Sequence, residues 1–354
     1  MSKRIIALLL ALVMVFALCA CGNGGNGGNS AGTEDVGDET YTIRIACENS
    51  DSYPATLGLY QMEKYVESHT NGKVQVEVCA SGQLGGEEET LEQVAQGNLE
   101  MAVASFAPVV SYVPEFEVMD IPFVYNSYTE AWMVLDSYVG TNLLDKMEAQ
   151  GLKGMAYMEN GMRQVTSNVS AINSIADFKG VKLRTMQNNN HMESFSALGA
   201  NPTPVAFSEL YISLSQKVVD AQENPIANVT DKKLYEVQKY LSLTNHIYDA
   251  MPLVCNLEFF NSLPQAYQKV VQAGAIYDQE FSRFCNLERE DLILADLADK
   301  YGMQINEVSA DARAEMAKVA QPAVIKLVAK DIGQDAVDQY MNDVKDVLAQ
   351  ISKF

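Results

Sequence analysis

Two polar side chains stand where they can do chemistry together. Arg184 ends the short β-prone run Val181-Lys182-Leu183, and Asn224 follows the pair Val218-Val219. An arginine at a strand end can aim its planar fork into a cleft and take a carboxylate bidentately. The Asn224 amide can donate to the same group, and Pro225 holds Asn224 towards extended backbone. The chemistry is anion capture. The competing reading makes Arg184 a surface strand-end residue paired to a nearby glutamate, an arrangement of little energetic consequence. Between the two, Ala200 to Pro204 (ANPTP) cannot lie inside a helix, and Ser208 reads as the N-cap of a helix from Glu209 to Gln216.

Catalytic constellations are missing. The chain has three histidines, His69, His191 and His246, and carries no G-x-S-x-G, H-E-x-x-H or P-loop pattern. Glu87, Glu88 and Glu89 can be imagined as a glycosidase pair, but three adjacent carboxylates at a helix start are the ordinary complement of the helix dipole. Gly22 to Gly27 formally matches G-x-G-x-x-G, yet no strand precedes it and no helix pattern follows. Cys47, Cys79, Cys255 and Cys285 show no zinc spacing; buried small hydrophobes are their expected role. Cys47 and Cys79, each ending a strand-like run, can be neighbours on one sheet, where a disulfide is possible. A metal or cofactor is not expected.

The net charge of −21 over 354 residues argues against nucleic acid and anionic membrane surfaces as electrostatic partners. An anion site in such a chain must concentrate its positive charge locally.

The elements that position these residues read as α/β. Tyr41 to Cys47 alternates as a first strand, Ala55 to His69 is an amphipathic helix, and Val74 to Val78 is a second strand. A Gly-rich loop, Ser81 to Gly86, leads into the acidic helix start, and Leu99 to Ala104 is a third strand. This β-α-β-α-β order predicts a parallel sheet with helices on its faces. Ligands sit outside the carboxyl ends of such strands, which selects Glu48, the loop Gln83 to Glu87, and Ser105; an ordinary solvated loop is the alternative at each. Tyr112 to Tyr128 is an irregular packing segment. Trp132 is expected in the core, on a helix from Thr129 to Leu135, with a further helix ending near Gln150. Two β-prone runs, Leu152 to Met158 and Met162 to Ser167, flank a turn at Glu159-Asn160-Gly161, where the chain passes between domains, and Arg163 lies just past it. Ile226 to Lys239 reads as helix and Pro252 to Phe260 as β-prone. Leu263 to Lys300 has no proline after Pro264 and predicts a helix of ~57 Å at 1.5 Å per residue, longer than one small domain. A short strand, Ile305 to Val308, and helices Ala310 to Ile332 and Asp335 to Ile351 close the chain.

The first twenty residues read as a leader. Lys3 and Arg4 precede an apolar run from Ile5 to Leu18, too short for a comfortable membrane span. Leu18-Cys19-Ala20-Cys21 reads as a lipobox cleaved before Cys21, which would tether the protein by a lipid outside the cytoplasmic membrane. Gly22 to Asp38 is a flexible Gly/Asn/Ser tether.

Several long stretches, taken in order, resemble the solute-binding proteins of TRAP transporters, the DctP-like family. They are SGQLGGEEETLEQVAQGNLEMAV (81–103), ENGMRQVTS (159–167), IADFKGVKLRT (175–185), LGANPTPVAFSELY (198–211), VVDAQENP (218–225) and LYEVQKYLSLTNH (234–246). The resemblance runs from about Tyr41 to the C-terminus. It implies a two-lobed α/β fold of the periplasmic-binding-protein type (type II-like), with crossing hinge strands and a long helix spanning both lobes. The expected divisions are leader 1–20, tether 21–40, lobe I 41–162, lobe II 163–250, a return to lobe I with the long helix over 251–288, and a C-terminal part, 289–354, packing on lobe II. It also implies that Arg163 is a second positive group near the solute's carboxylate, against the reading of an arginine binding hinge-strand carbonyls. Phe207 is expected against the body of the solute, where an aromatic is otherwise core. The partners implied are a small carboxylate and the two integral membrane subunits of an ion-gradient-driven transporter, with the protein a monomer. A ligand-sensing lipoprotein docking on a receptor is the alternative, and a secreted hydrolase the weaker one. Met186 to His191 departs from the VP that often follows the arginine-bearing strand in the family, which leaves pocket shape open. Glu48 and Glu87 can accept hydroxyl hydrogens, and so lean the ligand towards a sugar acid or related monocarboxylate.

Overall fold

The computed structural model describes residues 39–350. The leader, the expected lipidation site Cys21 and most of the tether lie outside them. The strands are β1 (Tyr41–Ala46), β2 (Val74–Cys79), β3 (Met101–Val103), β4 (Leu152–Ser167) and β5 (Lys182–Thr185). They continue as β6 (Asn201–Pro204), β7 (Ala221–Pro225), β8 (Tyr240–Leu243), β9 (Tyr248–Asn256) and β10 (Gln304–Glu307).

They form two lobes sharing one strand. In the first, β1 lies between β2 and β3, parallel to both, and β3 and β4 flank β9 antiparallel. In the second, β5 lies parallel between β6 and β7, while β7 and β8 pair antiparallel with β4. Strand β10 runs parallel to β8 at the edge. The parallel arrangement expected of the first three strands is present. Alternation does the local work: Ile43 and Ile45 on β1, and Val74 and Val76 on β2, are buried. The helix Pro54–His69 starts with proline in its first turn and buries Leu59, Met62 and Val66.

Strand β4 corrects one expectation. Glu159-Asn160-Gly161 is not a turn between two strands; sixteen residues run through it as one. The turn signal encodes a bulge. Pairing with β9 shifts between Glu159 and Gly161, Gly161 takes φ 125°, and a Cβ there would lie 3.2 Å from the Tyr128 hydroxyl and 3.3 Å from Pro225. From Arg163 onward the strand pairs with β7 and β8 instead.

The long helix, Gln265–Asp299, has 35 residues and so spans about 52 Å. Its first half packs on Pro54–His69 and β4, and Leu297 near its end sits in the second lobe's core. The C-terminal part differs from expectation. In helix Ala310–Ile332, Met316 and Ala320 enter the second lobe's core, but Val324 and Val328 enter the first. Helix Gln334–Leu348 lays Val337, Tyr340, Val344 and Val347 into the first lobe's core, where the Tyr340 and Tyr125 hydroxyls hydrogen-bond at 2.6 Å. An apolar stripe at helical spacing covers whichever exposed face it fits, and here that face is the pair of helices Tyr128–Leu135 and Tyr138–Lys146.

Two shorter expectations also fail. Ser208 caps nothing: a 3-10 turn, Phe207–Glu209, precedes the helix Leu210–Ser215. The helix from Ile226 stops at Asp231, and Lys233 takes left-handed backbone at φ 52°. Trp132 is only partly buried and donates its indole N–H to Glu159 at 2.7 Å. The four cysteines at 47, 79, 255 and 285 are buried free thiols; Cys47 and Cys79 are neighbours through a backbone bond of 3.0 Å, not a disulfide.

The close approach of the long helix to Pro54–His69 needs Gly274, because a Cβ there would lie 2.8 Å from Val66 Cγ2 and 3.2 Å from Met62 Cγ. Gly274→Val should lower unfolding free energy by about 1–3 kcal/mol through overpacking, read as a reduced midpoint in urea denaturation followed by circular dichroism.

Candidate functional site

A cavity of about 250 Å³ lies between the lobes. The first lobe contributes the loop after β1 (Glu48, Asn49), the start of helix Glu87–Ala95, and Ser105 beyond β3. The second contributes Arg184 from β5, Phe207, Asn224 from β7 and Asn228. These first-lobe residues follow strand carboxyl ends, as the parallel-sheet rule requires. Of the seven site residues read from the sequence, six are on this wall: Arg184, Asn224, Phe207, Glu48, Glu87 and Ser105.

Arg184 is 1% exposed. Its Nε donates to the Val205 carbonyl at 2.8 Å, and its Nη1 is buried without a partner. Burial pushes the guanidinium down to about 10; the Glu223 charge opposes that shift and Arg163 adds to it. The surface ion-pair reading of Arg184 is thereby excluded. The Asn224 amide is tied into the wall, accepting from Arg163 at 3.3 Å and donating to Gln222 at 2.5 Å.

The acids are arranged with equal care. Glu48 accepts from the Glu87 backbone N–H at 3.2 Å through Oε2, while Oε1 is buried and unpartnered. Burial raises its carboxyl above the usual range, against the pull of Lys232 and Arg184. Glu87 Oε1 accepts from the Ser105 backbone N–H at 3.0 Å and hydroxyl at 2.9 Å. Burial, then the neighbouring Glu48, push Glu87 up to about 8. Ser105 thus spends both donors on orienting Glu87. Lys232 donates to the Glu48 carbonyl at 3.1 Å and sits 4.7 Å above the centre of the Phe207 ring.

Arg163 is the exception. It is fully buried and absent from the cavity wall. Its Nε and Nη2 pair with the Glu223 carboxylate, its Nη1 donates to Asp249 at 2.7 Å, and its Nη2 also reaches the Glu223 carbonyl at 2.8 Å. His246 lies 3.1 Å from Glu223 and His191 3.2 Å from Asp120. Burial works against the Glu223 charge, but Arg163, His191 and His246 together hold it well below the carboxylate range. Burial likewise opposes charge on His191, and Asp120 and Glu223 override it, raising the ring to about 9. Arg163 is therefore neutralised by protein carboxylates; it binds hinge carboxylates as well as the hinge carbonyl foreseen in its competing reading.

Sequence reasoning missed the bonds between lobes. Asn49 donates to Asn228 at 2.9 Å, Gln187 to Glu88 at 3.1 Å, and the Ser50 backbone and hydroxyl bind Asp231. Asn228 also donates to Asn160 at 3.0 Å. Asn228 lies in the first turn of the helix Ile226–Asp231 that follows β7, four residues beyond Asn224. The arrangement is a polar-walled space of a size to take a small molecule. Among the described residues no His, Cys, Asp and Glu cluster fits a metal ion.

Residues 45–331 match the family model described as bacterial extracellular solute-binding protein, family 7. The chain belongs to that family. The C4-dicarboxylate-binding periplasmic protein DctP of Rhodobacter capsulatus is 31% identical over 84% of this chain and 90% of its own. The sugar acid binding protein DctPAm of Advenella mimigardefordensis, solved in complex with galactonate, superposes with TM-score 0.83 at 32% identity, covering 87% of this chain and 99% of that one. A TRAP periplasmic solute binding protein from Polaromonas sp. JS666, bound to D-erythronate, gives 0.80 at 33%, covering 85% and 98%. The protein is a TRAP-type solute-binding protein and not an enzyme, as the resemblance implied.

The two buried arginines of this solute-binding protein should behave oppositely. Arg163→Met strands two carboxylates and should cost about 3–5 kcal/mol of stability. Arg184→Met removes a cation without a carboxylate partner and should leave the melting temperature unchanged or higher. Calorimetry of both variants without added solute checks this; equal losses would contradict the distinction.

Proposed function

We propose that this solute-binding protein captures a small organic acid by pairing its carboxylate with Arg184, closes about β4 and β9, and delivers it to integral membrane TRAP subunits for ion-gradient-driven uptake. The single observation carrying this reading is the buried, unpartnered Nη1 of Arg184 on the wall of an inter-lobe cavity. A desolvated guanidinium without a counter-ion is stabilised by whichever anion enters, and in low dielectric that pair is far stronger than in water. The galactonate and D-erythronate held by the two solved relatives are both organic acids, which supports the same class here. Micromolar affinity needs only about −8 kcal/mol, within reach of one such pair plus burial of the solute.

Asn224 restricts the mouth of the fork, Phe207 packs on the body of the solute, and Glu48 and Glu87 meet its far end. The protein works as a lipid-anchored monomer held through Cys21 outside the cytoplasmic membrane, its tether giving reach to the transporter.

A thermal-shift screen over organic acids, neutral sugars and amines tests the assignment. Carboxylates should raise the melting temperature by linkage, and Arg184→Met should weaken the best of them at least ~30-fold, matching the about 2 kcal/mol or more lost when a buried charge pair is truncated. Stabilisation by neutral sugars or amines alone, or near-normal acid affinity in Arg184→Met, would overturn it.

A further inference from the structure

The cavity wall carries four carboxylate residues, Glu48, Glu87, Glu88 and Glu89, and among the described residues Arg184 is its one cationic residue. Two residues of this wall, from opposite lobes, each carry a buried, unsatisfied atom. Arg184 Nη1 is a donor without an acceptor, and Glu48 Oε1 is an acceptor without a donor; their residues are 1% and 7% exposed. We infer that Glu48 selects a singly charged, hydroxyl-bearing acid and turns away dicarboxylates. This rests on the Arg184 reading above.

The argument is one of complementarity. The solute's carboxylate satisfies Nη1. A hydroxyl on the same molecule then satisfies Glu48 Oε1, which no second carboxylate can do because it has no hydrogen to give. In a cavity of about 250 Å³ the far end of a short acid anchored on Arg184 meets Glu48, Glu87 and neutral groups such as Asn49, Gln187 and Asn228, and no second cation on the wall. A second carboxylate there would be desolvated against carboxylates with no cation of its own. Lys232 is not on the wall; its ammonium lies behind it, donating to the Glu48 carbonyl, lying over the Phe207 ring and acting on the Glu48 carboxyl.

Glu87 has a second part to play. Ser105 occupies Oε1 with two donors. The groups facing Glu87 are Glu48 from the loop after β1, Asp249 from β9 and Arg184 from β5. With burial first and Glu48 next, its proton is retained up to about pH 8. In that form Glu87 contributes no charge and donates to a solute oxygen. Above that pH it becomes another anion on the wall.

The test uses matched pairs that differ only at the far end, galactonate with galactarate and gluconate with glucarate, plus erythronate with meso-tartrate, measured by calorimetric titration on the wild-type protein. At least a tenfold preference for the aldonate in each bound pair is expected, and Glu48→Gln should narrow that gap by weakening the aldonate and admitting the diacid. Between pH 7 and 9 the wild type should lose aldonate affinity while Glu87→Gln stays level. Diacids binding as tightly as aldonates, or a gap unchanged in Glu48→Gln, would overturn the selection while leaving the Arg184 reading standing. Binding of no acid at all, in a protein whose melting is cooperative, removes both.

Discussion

A guanidinium held out of water without a carboxylate partner is the constraint on which this molecule turns. Taking a charge from water into a protein interior costs several kcal/mol unless close partners repay it. Arg184 has one carbonyl and an idle nitrogen. Arg163, on the adjacent part of the sheet and buried as completely, has two carboxylates and a carbonyl. The same side chain at the same depth therefore serves two purposes, and the difference lies in who supplies the negative charge. For Arg163 the fold supplies it; for Arg184 the carboxylate of the proposed solute would. Glu223 belongs to the first and is followed directly by Asn224 on the cavity wall, so the strand that neutralises one arginine also frames the other.

The scaffold suits that division. Strand β4 belongs to both lobes and the long helix reaches from one to the other, so their cores are tied by continuous elements at the back of the cleft. The front is held differently. Gln187 with Glu88 is an exposed contact, and Ser50 with Asp231 is only partly buried. Bonds of this kind contribute little net free energy each. A protein that must seize a solute and later release it needs a front that opens at small cost and a back that does not. Bulging at Gly161, where β4 passes from one lobe to the other, puts the backbone irregularity where the two halves meet.

Most of this architecture was legible in the residues because its signals are local. Alternating apolar runs marked β1 and β2, a proline-free stretch marked the long helix, and strand ends pointed to Glu48, Glu87 and Ser105. The misreadings share a cause as well. Asn160-Gly161 carries turn chemistry, and only the partner strand β9 decides that it becomes a bulge. Nothing local says which lobe an amphipathic C-terminal helix will cover. Arg163 and Arg184 look alike in sequence, each at an end of a β-prone run, and only long-range pairing brings Glu223 and Asp249 to one and leaves the other open. Asn49 and Asn228 meet across 179 positions of chain, a contact no spacing rule anticipates.

The chain's acidity bears on the same point. A net charge of −21 repels organic anions at a distance, but salt screens that field within about 8–10 Å of the surface. Beyond that layer the solute meets one cation in a poorly solvated cavity, where Coulomb forces are several-fold stronger than in water. Long-range attraction is thus unnecessary for capture, and a broad basic patch would be a disadvantage, since it would hold any anion of suitable size. In the proposed capture, one guanidinium set among glutamates would recognise a single carboxylate and leave the rest of the solute to be judged by its hydroxyls. Acidity that looks unsuited to an anion-binding protein would, at the cavity wall, make the proposed binding selective.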